Sequence, residues 1–82
     1  MKMVADVRVL IRVNEECFSK LLRRLLETLE SHGVVFRNTA EHVDEGLAKA
    51  LFRVRLKDPT SRANMQAALY AVGADHVGVF DV

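Results

Sequence analysis

One thiol, three imidazoles and a short run of carboxylates are the groups in this 82-residue chain from which a catalytic or metal site would be made. Cys17 falls in the first turn of a predicted helix, where the helix dipole favours a thiolate, but Glu15 and Glu16 beside it oppose that effect and no histidine neighbours it. It reads as a small apolar residue of the helix's buried face rather than as a nucleophile. His32, His42 and His76 fall in three separate connections, none at the helical i, i+4 or tight-loop spacing from a second ligand that zinc requires. They read as cap and surface residues, and no metal or cofactor is expected. Glu41, Asp44 and Glu45 share one predicted turn; paired carboxylates can divide acid and base work, yet exposed turn acids ordinarily only keep a turn wet.

Gly33-Val34-Val35-Phe36-Arg37 resembles the Gly-Val-x-Phe-Arg signature of acylphosphatases. In that family the motif leaves the first strand and its arginine heads the first helix, so that phosphate lies in a cradle of backbone N–H groups. Here the run follows the first helix and leads into a strand. The cradle would not form, and the chain is not expected to be an enzyme.

Composition narrows the remaining classes. Lys and Arg number 12 against 11 Asp and Glu, so a net charge of +1 makes no whole-molecule case for nucleic acid or anionic membrane. A single cysteine excludes an internal disulfide and suits a reducing compartment, from which a cytoplasmic location is expected. No stretch approaches the roughly 18 apolar residues of a membrane span, and the first residues lack the apolar run of a signal peptide. Half the residues are hydrophobic, enough for one core, and residues 1–82 read as a single domain, either complete or a module of a longer protein.

The elements that position these groups follow from periodicity. Val7, Val9, Ile11 and Val13 alternate with Asp6, Arg8, Leu10 and Arg12, which predicts a half-buried strand from Ala5 to Val13. Asn14 supplies a helix cap, and Phe18, Leu21, Leu22, Leu25, Leu26 and Leu29, with Cys17, recur at three- and four-residue spacing against Lys20, Arg23, Arg24, Glu27 and Glu30. His32 and Gly33 predict the stop, with glycine entering the left-handed conformation. A second strand is expected from Val34 to about Ala40, a turn over Glu41–Gly46, and a third strand with Ala48, Ala50, Phe52, Val54 and Leu56 on one face. Asp58-Pro59-Thr60-Ser61 breaks it, Met65, Ala68, Leu69 and Val72 mark a second helix closed by Gly73, and Val77–Val82 forms the last strand.

The order βαββαβ predicts an α+β two-layer sandwich of ferredoxin-like topology: a four-stranded antiparallel sheet, two helices on one face, and the first and third strands central. The other face then presents Arg8, Leu10 and Arg12 beside Lys49, Leu51, Arg53 and Arg55: basic, with an apolar centre. This face is the expected interface, with a homodimer partner or another domain; the plainer alternative is a solvated sheet face whose charges keep the protein in solution, as antiparallel sheets commonly show. Nucleic acid is the rival, through Arg8, Arg12, Arg53 and Arg55, but leucines stand where stacking rings belong and the chain has no Trp.

Over nearly the whole chain, the order of elements and the run from Ile11-Arg12-Val13-Asn14 through Leu21-Leu22 to His32-Gly33-Val34-Val35-Phe36 resemble the ACT domain, a ligand-sensing and subunit-pairing module. The resemblance implies a non-catalytic regulatory or oligomerisation role, and puts a small-molecule ligand at Asn14, Glu15 and Glu16, although the glycine that ACT domains carry there is absent. Arg23, the Leu21-Leu25-Leu29 spacing and Gly33 also resemble the cytosolic C-terminal domain of MgtC-type magnesium-transport-associated membrane proteins, with Phe80 in place of a tryptophan.

Overall fold

The computed structural model describes residues 5–44, 46–58 and 61–82, with Ala5, Glu15 and residues 39–44 described by their backbone alone. The elements run β1 (Ala5–Asn14), α1 (Glu15–His32), β2 (Gly33–Asp44), β3 (Leu47–Leu56), α2 (Ser61–Val72) and β4 (His76–Asp81). The strands form one antiparallel sheet in the order β2-β3-β1-β4, so β1 and β3 are central as the topology required.

Alternation along β1 and β3 decides which face is buried. The register sets Val7 opposite Val54, Val9 opposite Phe52, Ile11 opposite Ala50 and Val13 opposite Ala48, and all eight are buried. Leu25 and Leu29 of α1 and Met65 and Leu69 of α2 complete this core, with Phe18, Leu21, Leu22 and Leu26 half-buried at its rim. The Asn14 side-chain oxygen accepts from the Glu16 N–H at 2.9 Å, satisfying one of the unpaired donors of the first turn. At the other end, His32 Nδ1 lies 2.9 Å from the Thr28 carbonyl and 3.2 Å from the Ser31 hydroxyl, which itself donates to the Thr28 carbonyl at 2.7 Å.

Three expectations are corrected. Cys17 is exposed rather than buried: at 100° per residue it stands about 80° round the helix from Leu25, off the stripe that faces the sheet. Gly33 is not left-handed but extended, with φ 178°; what it supplies is space, because a Cβ there would lie 2.3 Å from the Arg55 carbonyl oxygen. β2 continues to Asp44 instead of ending near Ala40, and His42, Val43 and Asp44 pair with Lys49, Ala48 and Leu47, so Glu41–Asp44 belong to the strand and not to the turn. Register shifts between Val35 and Arg37 and between Thr39 and His42 broke the period that would have revealed this. Glu45, Pro59 and Thr60, which were assigned to turns, lie outside the described residues.

Gly73 closes α2 as expected, with φ 132° and its N–H donating to the Tyr70 carbonyl at 3.1 Å. Two side chains of α2 then hold β4 by its backbone: Gln66 donates to the Val77 carbonyl at 2.7 Å, and the Tyr70 hydroxyl accepts from the Val77 N–H at 3.0 Å. An edge strand is thereby partly covered.

The close approach at Gly33 yields a direct check. Gly33→Ala should destabilise the domain by about 1–3 kcal/mol, the usual cost of forcing atoms into a packed site, read as a lowered urea midpoint at unchanged slope.

Candidate functional site on the open sheet face

The residues that alternate with the core line up as rows across the helix-free face. Arg8 lies opposite Arg53 on β3 and Phe80 on β4; Leu10 lies opposite Leu51 and Gly78; Arg12 lies opposite Lys49 and His76. Arg37 of β2 extends the first row beyond Arg53. Cationic row, apolar row and cationic row thus succeed one another at the two-residue repeat of a strand, about 6.7 Å. All seven residues assigned to the interface from sequence share this face: Arg8, Leu10, Arg12, Lys49, Leu51, Arg53 and Arg55.

At its centre is an open depression of ≈ 360 Å³ lined by Arg8, Leu10, Lys49, Leu51 and Phe80. Gly78 makes room for one wall. A Cβ at that position would come within 2.8 Å of the Phe80 ring, so the missing side chain is what lets the ring lie back over the sheet beside Leu10. Phe80 nevertheless remains 49% exposed.

Charge on this face is unbalanced. Asp6 is the one acidic side chain described there, and it is taken by Arg55, whose Nε and Nη2 donate to its two oxygens at 2.8 and 3.3 Å. The Arg55 guanidinium also lies 5.5 Å from the centre of the Phe36 ring, which sits where the first register shift places an extra residue on β2. These hydrogen bonds from Arg55, aided by the charges of Arg55 and Arg53 and opposed by partial desolvation, hold the Asp6 carboxyl below its ordinary pKa. Among the described residues, Arg8, Arg12, Arg37, Lys49 and Arg53 have no carboxylate within ion-pair distance. The Nε of Arg12 is buried with no hydrogen-bond partner.

Other assigned residues fall elsewhere. Asn14 continues the face one row beyond Arg12, opposite Leu47, but its side-chain oxygen is spent on capping α1; Glu16 is exposed, and the Glu15 side chain lies outside the described residues. So do the side chains of Glu41, His42, Asp44 and Glu45. Among the described residues no cluster of three or more His, Cys, Asp or Glu is placed to hold a metal ion.

Sequence reasoning overlooked the contributions of β2 and β4. Phe80 and Phe36 set rings at this face, contrary to the expectation that it has no aromatics; they lie on the two edge strands, with leucines at the centre as foreseen. The period-two run His76, Gly78, Phe80 carried the signal for β4. Arg37 and Phe36 carried none, because a bulge reverses facing midway along the strand.

No protein-family model and no curated protein matches the chain. Solved structures do. The C-terminal domain of the MgtC protein from Mycobacterium tuberculosis is similar at a TM-score of 0.78 and 7% identity, over 100% of this chain and 92% of that one. The ACT domain from GTP pyrophosphokinase of Chlorobium tepidum gives 0.65 at 8% identity, over 98% and 100%. A de novo designed protein, Foldit4, gives 0.64 at 18% identity, over 98% and 97%. The fold is therefore ACT-like, as the resemblance implied. A fold shared with a designed protein does not by itself imply a function.

The Asp6–Arg55 pair sets a pH dependence. Because the folded carboxyl is held below its unfolded value, the pair's contribution is present above the unfolded pKa and is lost as pH falls through the lowered folded one. Urea unfolding between about pH 2 and pH 6 should show wild type losing stability on acidification more steeply than Asp6→Asn, with the two curves converging at the acid end.

Proposed function

We propose that the chain is a non-catalytic regulatory or assembly domain of ACT-like type whose open sheet face pairs with another subunit or with a neighbouring domain of a longer protein. The observation that carries this reading is the depression formed by Leu10, Leu51 and Phe80 on a face that neither helix covers, rimmed by Arg8 and Lys49, which among the described residues have no carboxylate within ion-pair distance. An apolar centre inside a polar rim is the anatomy of protein interfaces. Likeness in fold to the MgtC C-terminal domain supports a role as the soluble module of a larger, transport-associated protein. Likeness to the ACT domain supports ligand sensing, for which Asn14, Glu15 and Glu16 are the assigned positions.

The exposed rings of Phe36 and Phe80 among arginines favour a second reading, single-stranded nucleic acid bound through Arg8, Arg12, Arg53 and Arg55. Against it, the rings lie on opposite edge strands, three strand spacings or about 14 Å apart, and Arg55 is already engaged by Asp6.

Light scattering across concentration and salt separates the two. If the face is an assembly surface, two copies repel through it at about 0.1 M salt; screening at about 1 M lets the apolar rows meet, so the mean molar mass rises with salt and Leu51→Lys abolishes the rise. A monomer under every condition that binds single-stranded RNA, and releases it as salt increases, would transfer the assignment to nucleic acid.

A further inference from the structure

Building on the reading of the open face as a contact surface, we infer that its occupant is an acidic amphipathic helix of a partner protein, presenting one apolar residue between two carboxylates. Charge selects the sign. Six of the chain's 12 Lys and Arg, Arg8, Arg12, Arg37, Lys49, Arg53 and Arg55, stand on this face, and Asp6 is the one acidic side chain described there. A second copy presenting the same face would set cations against cations, whereas an acidic surface neutralises them.

Backbone chemistry selects the helix. The central strands β1 and β3 are paired on both sides along the depression, so their main-chain donors and acceptors are committed to the sheet. An extended segment laid over them would find no backbone partners, while a helix satisfies its own.

Row spacing selects the pattern. Residues i, i+4 and i+8 of a helix lie about 6 Å apart along its axis, close to the roughly 6.7 Å between rows of the sheet. A carboxylate at i meets Arg8 and Arg53, an aliphatic side chain at i+4 enters the depression of Leu10, Leu51 and Phe80, and a carboxylate at i+8 meets Arg12 and Lys49. The last of these also offers an acceptor to the orphaned Nε of Arg12. The complex would be a sheet clad by helices on both faces.

The test uses the 82-residue chain and two synthetic helical peptides of identical composition, one with a Glu-x-x-x-Leu-x-x-x-Glu stripe and one with the leucine moved to the opposite side. Fluorescence anisotropy should show the striped peptide binding about tenfold more tightly than its isomer, the worth of one buried leucine. Affinity should fall as salt rises, and Arg53→Gln and Arg12→Gln should each weaken it about fivefold, while Arg23→Gln on the exposed face of α1 leaves it unchanged. NMR shift changes should centre on Arg8, Leu10, Leu51 and Phe80, with circular dichroism verifying that each variant is folded. Equal binding of the isomers, shift changes confined to α1 and α2, or tighter binding of an RNA oligonucleotide at the same residues would overturn the inference. Salt-promoted self-association with no difference between the peptides would leave the assembly surface standing and remove only this occupant.

Discussion

The antiparallel pairing of β1 with β3 is the constraint from which the rest of the molecule follows. Once Val9 is placed opposite Phe52, the pleat sends every second residue of both strands into the core and every other one, Arg8, Leu10 and Arg12 with Lys49, Leu51 and Arg53, to the far side. A slip of one residue would bury the arginines and expose the valines. The hydrophobic effect that docks α1 and α2 therefore also fixes the order of the rows on the face they leave open. Core and surface are two consequences of a single register.

The strands with strict period two were legible from residue types alone, and so was the fold, because helix stripes and strand alternation both pointed to one covered face. The features that were not legible arise where tertiary contact overrides local preference. Gly33 looked like a helix stop by type, but its position is dictated by the backbone of Arg55, which no local pattern announces. β2 outran its expected end because its two register shifts interrupt the alternation by which strands are recognised. Cys17 was placed inside because it stands four residues before Leu21 in the apolar spacing, whereas the helix turns it away from the sheet.

The candidate site was half legible for the same reason. Seven residues on the two central strands share one face, as expected of strands that keep their period. What makes that face a depression rather than a flat charged surface is an agreement between strands: Gly78 of β4 leaves space, Phe80 two residues on fills it, and both stand against Leu10 and Arg8 of β1. Pairing partners of an edge strand cannot be read from its own sequence. The clamp that α2 places on Val77 through Gln66 and Tyr70 holds this wall in position, linking the helix layer to the face it does not cover.

The central claim is that Leu10 and Leu51 lie on the side of the sheet that the helices leave bare. Methyl NMR with a soluble paramagnetic agent reads this directly at high dilution. The structure predicts strong broadening of the Leu10 and Leu51 methyls while those of Leu25 and Leu29 stay sharp; protection of Leu10 and Leu51, or bleaching of Leu25 and Leu29, would contradict it.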